Sequence, residues 1–163
     1  MKSAHSGSRR ILVIDDDPAS CELVAYFLKS LGYRVAIAAD GLRAVNMDLE
    51  DDIELVILDG HMPGLDGVEV LARLRVSDPA QRVKVLVLTG DASARMRTDF
   101  ESASVDGFLT KPVDRDDLRS EVARLLPGEA QTETRLIRLV REQGYDQPFD
   151  YVILDPRKNL ERN

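Results

Sequence analysis

The sequence predicts a doubly wound α/β sandwich, a parallel sheet with helices on both faces, and three observations carry that prediction. Five short apolar runs alternate with amphipathic stretches between residues 9 and 126, the rhythm of repeated strand–helix units. Most of the runs are continuously apolar rather than alternating, which suits strands covered on both sides. Charged and hydroxyl residues stand at the ends of these runs, where a parallel sheet gathers them along one rim.

Each element follows in order. Met1 to Ser8 is rich in serine and reads as a flexible tail, with order beginning at Arg9 or Arg10. The strand candidates are Ile11–Ile14, Tyr33–Ile37, Leu55–Leu58, Val83–Leu88 and Asp106–Leu109. The first helix is expected over 18–31, opened by Pro18 behind an aspartate and closed before Gly32. Leu23, Phe27, Leu28 and Leu31 are expected to share its apolar face. Further helices are expected near 41–50, 66–76, 92–103 and 114–126, after which Pro127-Gly128 punctuates the chain.

Composition narrows the class. The 163 residues are 44% hydrophobic and 31% charged, ordinary for a soluble globular protein and too apolar for a disordered one. Lys and Arg number 22 against 29 Asp and Glu, a net charge of −7. That sign is wrong for holding nucleic acid through the overall field, so no direct nucleic-acid binding is expected. The single cysteine, Cys21, cannot make an internal disulfide and fits a reducing compartment. No apolar run approaches the ~18 residues that span a bilayer, and the first ten residues lack the apolar core of a signal peptide. A cytoplasmic protein with no membrane contact is expected.

The chemistry lies at the strand ends. Asp15, Asp16 and Asp17 follow the first run, Asp59 the third, Thr89 the fourth and Lys111-Pro112 the fifth. The gaps between them leave room for helical crossovers, and the longest also holds the second strand. That suggests the first strand beside the third and the second outside, placing Asp15, Asp16 and Asp59 at a topological switch point. Singly, each residue has an ordinary explanation as a helix cap, a turn residue, a satisfied hydroxyl or a solvated charge. Together they do not: two carboxylates ~4 Å apart repel by ~4 kcal/mol at an effective dielectric of 20. Three cannot share a pocket unless a cation or a proton joins them. Mg²⁺ fits an oxygen-only set that also receives a phosphoryl oxygen, and no His or Cys stands at zinc spacing.

These residues resemble the receiver domain of bacterial response regulators. The matching strings are Ile11-Leu-Val-Ile-Asp-Asp-Asp-Pro18, Leu55-Val-Ile-Leu-Asp-Gly-His-Met-Pro-Gly-Leu-Asp-Gly67, Val87-Leu-Thr-Gly-Asp-Ala92 and Gly107-Phe-Leu-Thr-Lys-Pro112. The resemblance implies a flavodoxin-like sheet of order 2-1-3-4-5 over residues 9–126. It implies that Asp59 is the phosphoacceptor and that Asp15, Asp16, Asp59 and the backbone carbonyl of His61 hold Mg²⁺, with Asp16 a more direct ligand than Asp15. Thr89 and Lys111 would meet the phosphoryl group, and the Lys111–Pro112 bond is often cis in the family. The implied partner is a histidine kinase or histidine phosphotransfer protein whose phosphohistidine Asp59 attacks, giving an acyl phosphate. Water later removes it, so the domain is a switch rather than a turnover enzyme. Thr89 and Phe108 would carry the readout; Phe108 as a fixed core residue is the alternative. Gly90 is small where the phosphoryl group enters. His61 and Asp91, at the mouth of the site, would tune the lifetime, or else are plain exposed loop residues.

Residues 129–163 read as a helix-plus-strand extension, too short for a core of their own, with seven acids against six bases. Val152-Ile-Leu-Asp155 repeats Val56-Ile-Leu-Asp59, either as a truncated second receiver or by coincidence of strand composition. Asp155 has no acidic pair upstream, and no phosphorylation is expected there. Three functions compete: a receiver signalling through a protein partner, the receiver fragment of a longer protein, and a small-molecule phosphatase using Asp15 and Asp17. The third lacks room for a cap segment and trails the others. Homodimerisation through the last helix, strand and helix is common in the family, and no charge pattern here decides it.

Overall fold

Strand β1 (Arg10–Ile14) leads into helix α1 (Pro18–Ser30) and strand β2 (Arg34–Ala38); β3 (Ile53–Asp59) leads into α2 (Gly67–Ser77), β4 (Lys84–Thr89) into α3 (Ala94–Ser102) and β5 (Gly107–Thr110) into α4 (Arg115–Leu125). The structure, a computed structural model, describes residues 10–39, 41, 44, 53–64 and 66–127. All of them belong to one compact unit, Met1–Ala130. Of the helix expected at 41–50, Gly41 and Ala44 are described, both helical and buried. The tail 1–8, the rest of that helix and the extension 129–163, with Val152–Asp155, lie outside the described residues.

The strands form one sheet of order β2-β1-β3-β4-β5, every pair parallel. This is the flavodoxin-like, doubly wound arrangement the sequence predicts. The order reverses between β1 and β3, so the crevice outside their carboxyl ends is the switch point. Register then decides which side chains meet. Ile14 pairs with Leu58, Asp59 with Leu88 and Thr89 with Thr110. Asp15 therefore emerges beside Asp59, Gly60 beside Thr89, and Gly90 beside Lys111.

Period-two alternation in the strands divides the core in two. Ile11, Val13, Leu55, Ile57, Leu86 and Leu88 pack against Cys21, Val24 and Leu28 of α1 and Leu118, Val122 and Leu125 of α4. Leu12, Ile14, Val56, Leu58, Val85 and Val87 face the other way, onto Val70, Leu71 and Leu74 of α2 and Phe100 of α3. Coverage on both sides, as expected from the apolar runs, holds for β1, β3 and β4. The edge strands depart from it: Ile37 of β2 is 47% exposed and β5 is half-buried.

Helix boundaries follow local chemistry. Asp17 caps α1 by accepting from the backbone N–H of Ala19 and Ser20, each at 3.2 Å, with Pro18 in the first turn. Gly32 follows with φ of 89°, a left-handed conformation open to glycine at little cost. Ser93 caps α3 and Asp114 caps α4, so these helices begin two residues and one residue inside the expected ranges. β3 and β4 run on to Asp59 and Thr89 because the ladder continues through polar residues that are buried at the sheet's end. The Lys111–Pro112 bond is cis.

One expectation for α1 needs correction. Leu23 is 47% exposed, and the buried residues are Cys21, Val24, Ala25 and Leu28, with Phe27 and Leu31 packed beside them. The spacing i, i+3, i+4, i+7 from Cys21 centres the inward stripe and rotates Leu23 to its far side. Leu23→Ser is accordingly expected to change unfolding free energy by less than about 0.5 kcal/mol. Leu28→Ala should cost about 2–5 kcal/mol. Urea midpoints of the two variants check this, and equal losses would contradict the assignment.

Candidate functional site at the carboxyl edge of the sheet

Asp15, Asp16 and Asp59 each place a carboxylate oxygen within 4.8 Å of the others. Asp15 and Asp59 are buried, whereas Asp16 is exposed. Asp15 is fixed from several sides. Its Oδ1 accepts from the Asp17 backbone N–H at 2.9 Å, and its Oδ2 accepts from Ser20 Oγ at 2.6 Å and Lys111 Nζ at 2.8 Å. Asp59 Oδ1 accepts from the His61 backbone N–H at 3.3 Å and lies 3.3 Å from Lys111 Nζ. Asp16 accepts no hydrogen bond from a described residue, so its oxygens remain available to a cation or water.

Burial and charge set the protonation of these groups. Burial pushes the Asp59 carboxyl above the ordinary carboxylate range; the Lys111 ammonium opposes that shift and the Asp15 charge adds to it. For Lys111 burial disfavours the charged form, but the hydrogen bond to Asp15 and the charges of Asp59 and Asp15 outweigh it, raising its pKa. Lys111 is thus a cation at neutral pH, and one ammonium faces three carboxylates. The oxygen-only donor set, a free carboxylate and this surplus charge suit a hard divalent ion.

Thr89 is fully buried, and its Oγ1 accepts from the Asp91 backbone N–H at 3.1 Å. The Lys111 backbone N–H donates to the Thr89 carbonyl at 2.7 Å, tying the ends of β4 and β5 together. His61 and Asp91 are exposed beside the cluster, and Asp91 Oδ1 accepts from the Ser93 backbone N–H at 2.8 Å. A Cβ at Gly90 would meet nothing within 4 Å, so this residue leaves the approach to Thr89 open. Phe108 is half-buried, its ring edge-on to Phe100 with centroids 6.1 Å apart.

Sequence reading did not single out Ser20, Gly60 or Gly67. Ser20 lies one turn into α1 and orients Asp15. A Cβ on Gly60 would sit 2.7 Å from Thr89 Cβ, and one on Gly67 would sit 2.6 Å from the Asp59 carbonyl oxygen. Both glycines let the β3 end and the start of α2 close around the site. Gly67 stood within the quoted motif, and its place at the opening of a helix was the available signal.

Three aspartates, a lysine and a buried threonine thus meet at the switch point of a doubly wound α/β fold. Comparison makes the class specific. The response regulator receiver domain family matches residues 11–123, and the chain belongs to that family. It is 30% identical to the sporulation initiation phosphotransferase F of Bacillus subtilis, over 74% of this chain and 95% of that one. It is 35% identical to a DNA-binding master transcriptional regulator of Synechocystis, over 72% of this chain. The match spans 48% of that regulator's length, and 27% and 47% of two other transcriptional regulators'. Among solved structures, Vibrio cholerae chemotaxis protein CheY4 superposes with a TM-score of 0.69 at 26% identity, covering 74% of this chain and all of the other. The receiver domain of a Pseudomonas aeruginosa sensor histidine kinase, described with a magnesium ion in its active-site cleft, superposes with a TM-score of 0.66 at 29% identity, over 73% and 98% of the two chains. Receiver domains of this family take phosphoryl groups from histidine kinases or phosphotransfer proteins. No helix among the described residues is long and apolar enough to cross a membrane.

The raised pKa of Asp59 has a sign that stability measurements can read. The folded state holds the Asp59 proton more tightly than the unfolded state, so ionising this group costs stability as pH climbs above the ordinary carboxylate range. Asp59→Asn should therefore raise the thermal midpoint at pH 7 in the presence of a chelator. The gain should shrink as pH is lowered toward the range where Asp59 is protonated in both states. A variant less stable than the parent at pH 7 would contradict the electrostatic account.

Proposed function

We propose that this chain is a phosphoacceptor switch in which Asp59 takes a phosphoryl group from a phosphohistidine on a histidine kinase or histidine phosphotransfer protein. The observation that carries this reading is the meeting of Asp15, Asp16, Asp59 and Lys111 at one rim from three separate strand ends. The Asp59 carboxylate forms an oxygen–phosphorus bond as the phosphorus–nitrogen bond breaks, and the electron pair of the broken bond returns to the imidazole. Lys111 balances charge on the phosphoryl oxygens, and most of the rate comes from positioning. The Thr89 hydroxyl meets a phosphoryl oxygen, a role supported by its closeness to Gly60 at the end of β3. The side chains of Asp15, Asp16 and Asp59, with the His61 backbone carbonyl, would hold Mg²⁺. When bound, that ion relieves the repulsion among the carboxylates and favours the ionised form of Asp59.

Residues 9–126 are read as the working receiver and 129–163 as an extension to it. The product is an acyl phosphate that water removes, so the protein acts on itself and on its partner rather than turning over a separate substrate. Movement of Thr89 toward the phosphoryl oxygens leaves space that Phe108 enters, and the altered face is what a downstream protein reads. His61 and Asp91, exposed beside Asp59 and Thr89, flank the path of the attacking water and set the lifetime.

Incubation with acetyl phosphate and Mg²⁺ should add one phosphoryl group, seen by mass spectrometry, and neither Asp59→Asn nor the chelated protein should be labelled. Labelling that survives Asp59→Asn, or sustained donor hydrolysis far above one equivalent, would overturn the reading. His61→Ala is expected to change the half-life of the adduct several-fold. An unchanged half-life would remove His61 from the lifetime-setting residues.

A further inference from the structure

Between α3 and α4, over β5, lies an open groove of about 400 Å³ whose lining includes Arg97, Glu101, Phe108, Glu121 and Arg124. Arg124 is engaged within it, donating to Glu121 Oε2 at 2.7 Å and to the Asp106 carbonyl at 2.8 Å. Arg97 differs. It makes no ion pair with a described residue, although Glu101 stands one turn further along the same helix. Its guanidinium carbon instead lies 5.0 Å from the centroid of the Phe108 ring. Phe100, fully buried, meets that ring edge-on at 6.1 Å. The Phe108 ring is therefore in contact with a cation as well as with the apolar core.

A cation over an aromatic face is attracted by the negative charge of the π-cloud. A ring that leaves the groove for the space beside Thr89 draws away from Arg97, so the attraction favours only one of its two positions. Phe108 has no phenolic hydroxyl to bond at the surface, which leaves the guanidinium as the one polar group stacked on this ring among the described residues. We propose that Arg97 is a positioning residue that holds Phe108 in the groove and so sets the threshold for switching. The inference rests on the reading of Asp59 as phosphoacceptor and Phe108 as its readout.

An exposed contact of this kind shifts the ratio of the two ring positions about two- to fivefold. Linkage requires that shift to appear in the affinity for a phosphoryl mimic that favours the inward ring, in full where the outward ring predominates. Amide NMR titrations of the full chain with beryllium trifluoride in excess Mg²⁺ read it directly. Arg97→Gln should bind the mimic two- to fivefold more tightly than the parent, with Arg97→Lys in between. In a Phe108→Leu background, which keeps an apolar side chain but no ring, Arg97→Gln should have no further effect. Parental affinity in Arg97→Gln, or an equal gain with and without the ring, would overturn the proposal. A parent that does not bind the mimic, or an Asp59→Asn variant that binds it equally well, would instead remove the phosphoacceptor reading and this inference with it.

Discussion

Lys111 Nζ stands 2.8 Å from Asp15 and 3.3 Å from Asp59, and this one ammonium is asked to hold together a rim carrying three carboxylates. It cannot neutralise them. Burial makes Asp59 hold its proton more tightly, against the pull of Lys111 and with the help of the Asp15 charge, and Asp16 faces solvent. The rim thus carries a deficit of positive charge that a divalent ion would fill and a carboxylate whose ionisation burial opposes. Much of the rest of the structure keeps these groups in register so that the tension persists.

The fold supplies the register cheaply because strand pairing fixes neighbours at the sheet's end. The partners of Ile14, Asp59 and Thr89 in the ladder put Asp15, Asp59, Thr89 and Lys111 within reach of one another, although the first and last are 96 residues apart in sequence. β1, β3 and β4 are buried on both faces, and a slip of one residue would exchange the side chains of the two core layers and displace the polar residues that end the strands. Backbone bonds then close the rim: Gly60 N–H to the Leu88 carbonyl at 2.9 Å and Lys111 N–H to that of Thr89 at 2.7 Å. Gly60 and Gly67 allow the approach, for a methyl group at either would collide with Thr89 or with the Asp59 carbonyl.

How far the sequence disclosed this depends on the physical origin of each feature. Strand order and rim composition were legible because apolar runs and the polar residues that end them are local signals, and topology carries those ends to one place. The face of α1 was misjudged at Leu23 because four leucine and phenylalanine residues in the fourteen positions 18–31 fit more than one stripe; the sheet surface chose the one centred on Val24. Ser20 was hidden because a serine near a helix start has many uses, and only the position of Asp15 gives this one meaning. The Arg97–Phe108 contact joins residues on different elements, with no spacing rule to announce it. Exposure at the β2 edge was equally invisible, since Ile37 is as apolar as any buried strand residue.

Kinship with receiver domains fits this division. The match to the family covers the stretch in which these strand ends occur, and the superposed structures are nearly whole receiver domains of 23% to 29% identity. Most positions have therefore diverged while the sheet is shared, as expected when shape depends on pattern and chemistry on a few strand-end groups. The most direct test is an amide NMR titration with MgCl₂ at constant ionic strength. Saturable shifts confined to residues around 15–17, 59–61 and 89–91, lost on Asp16→Asn, are the predicted result; shifts that are absent, scattered over the acidic surface or indifferent to Asp16 would contradict the account.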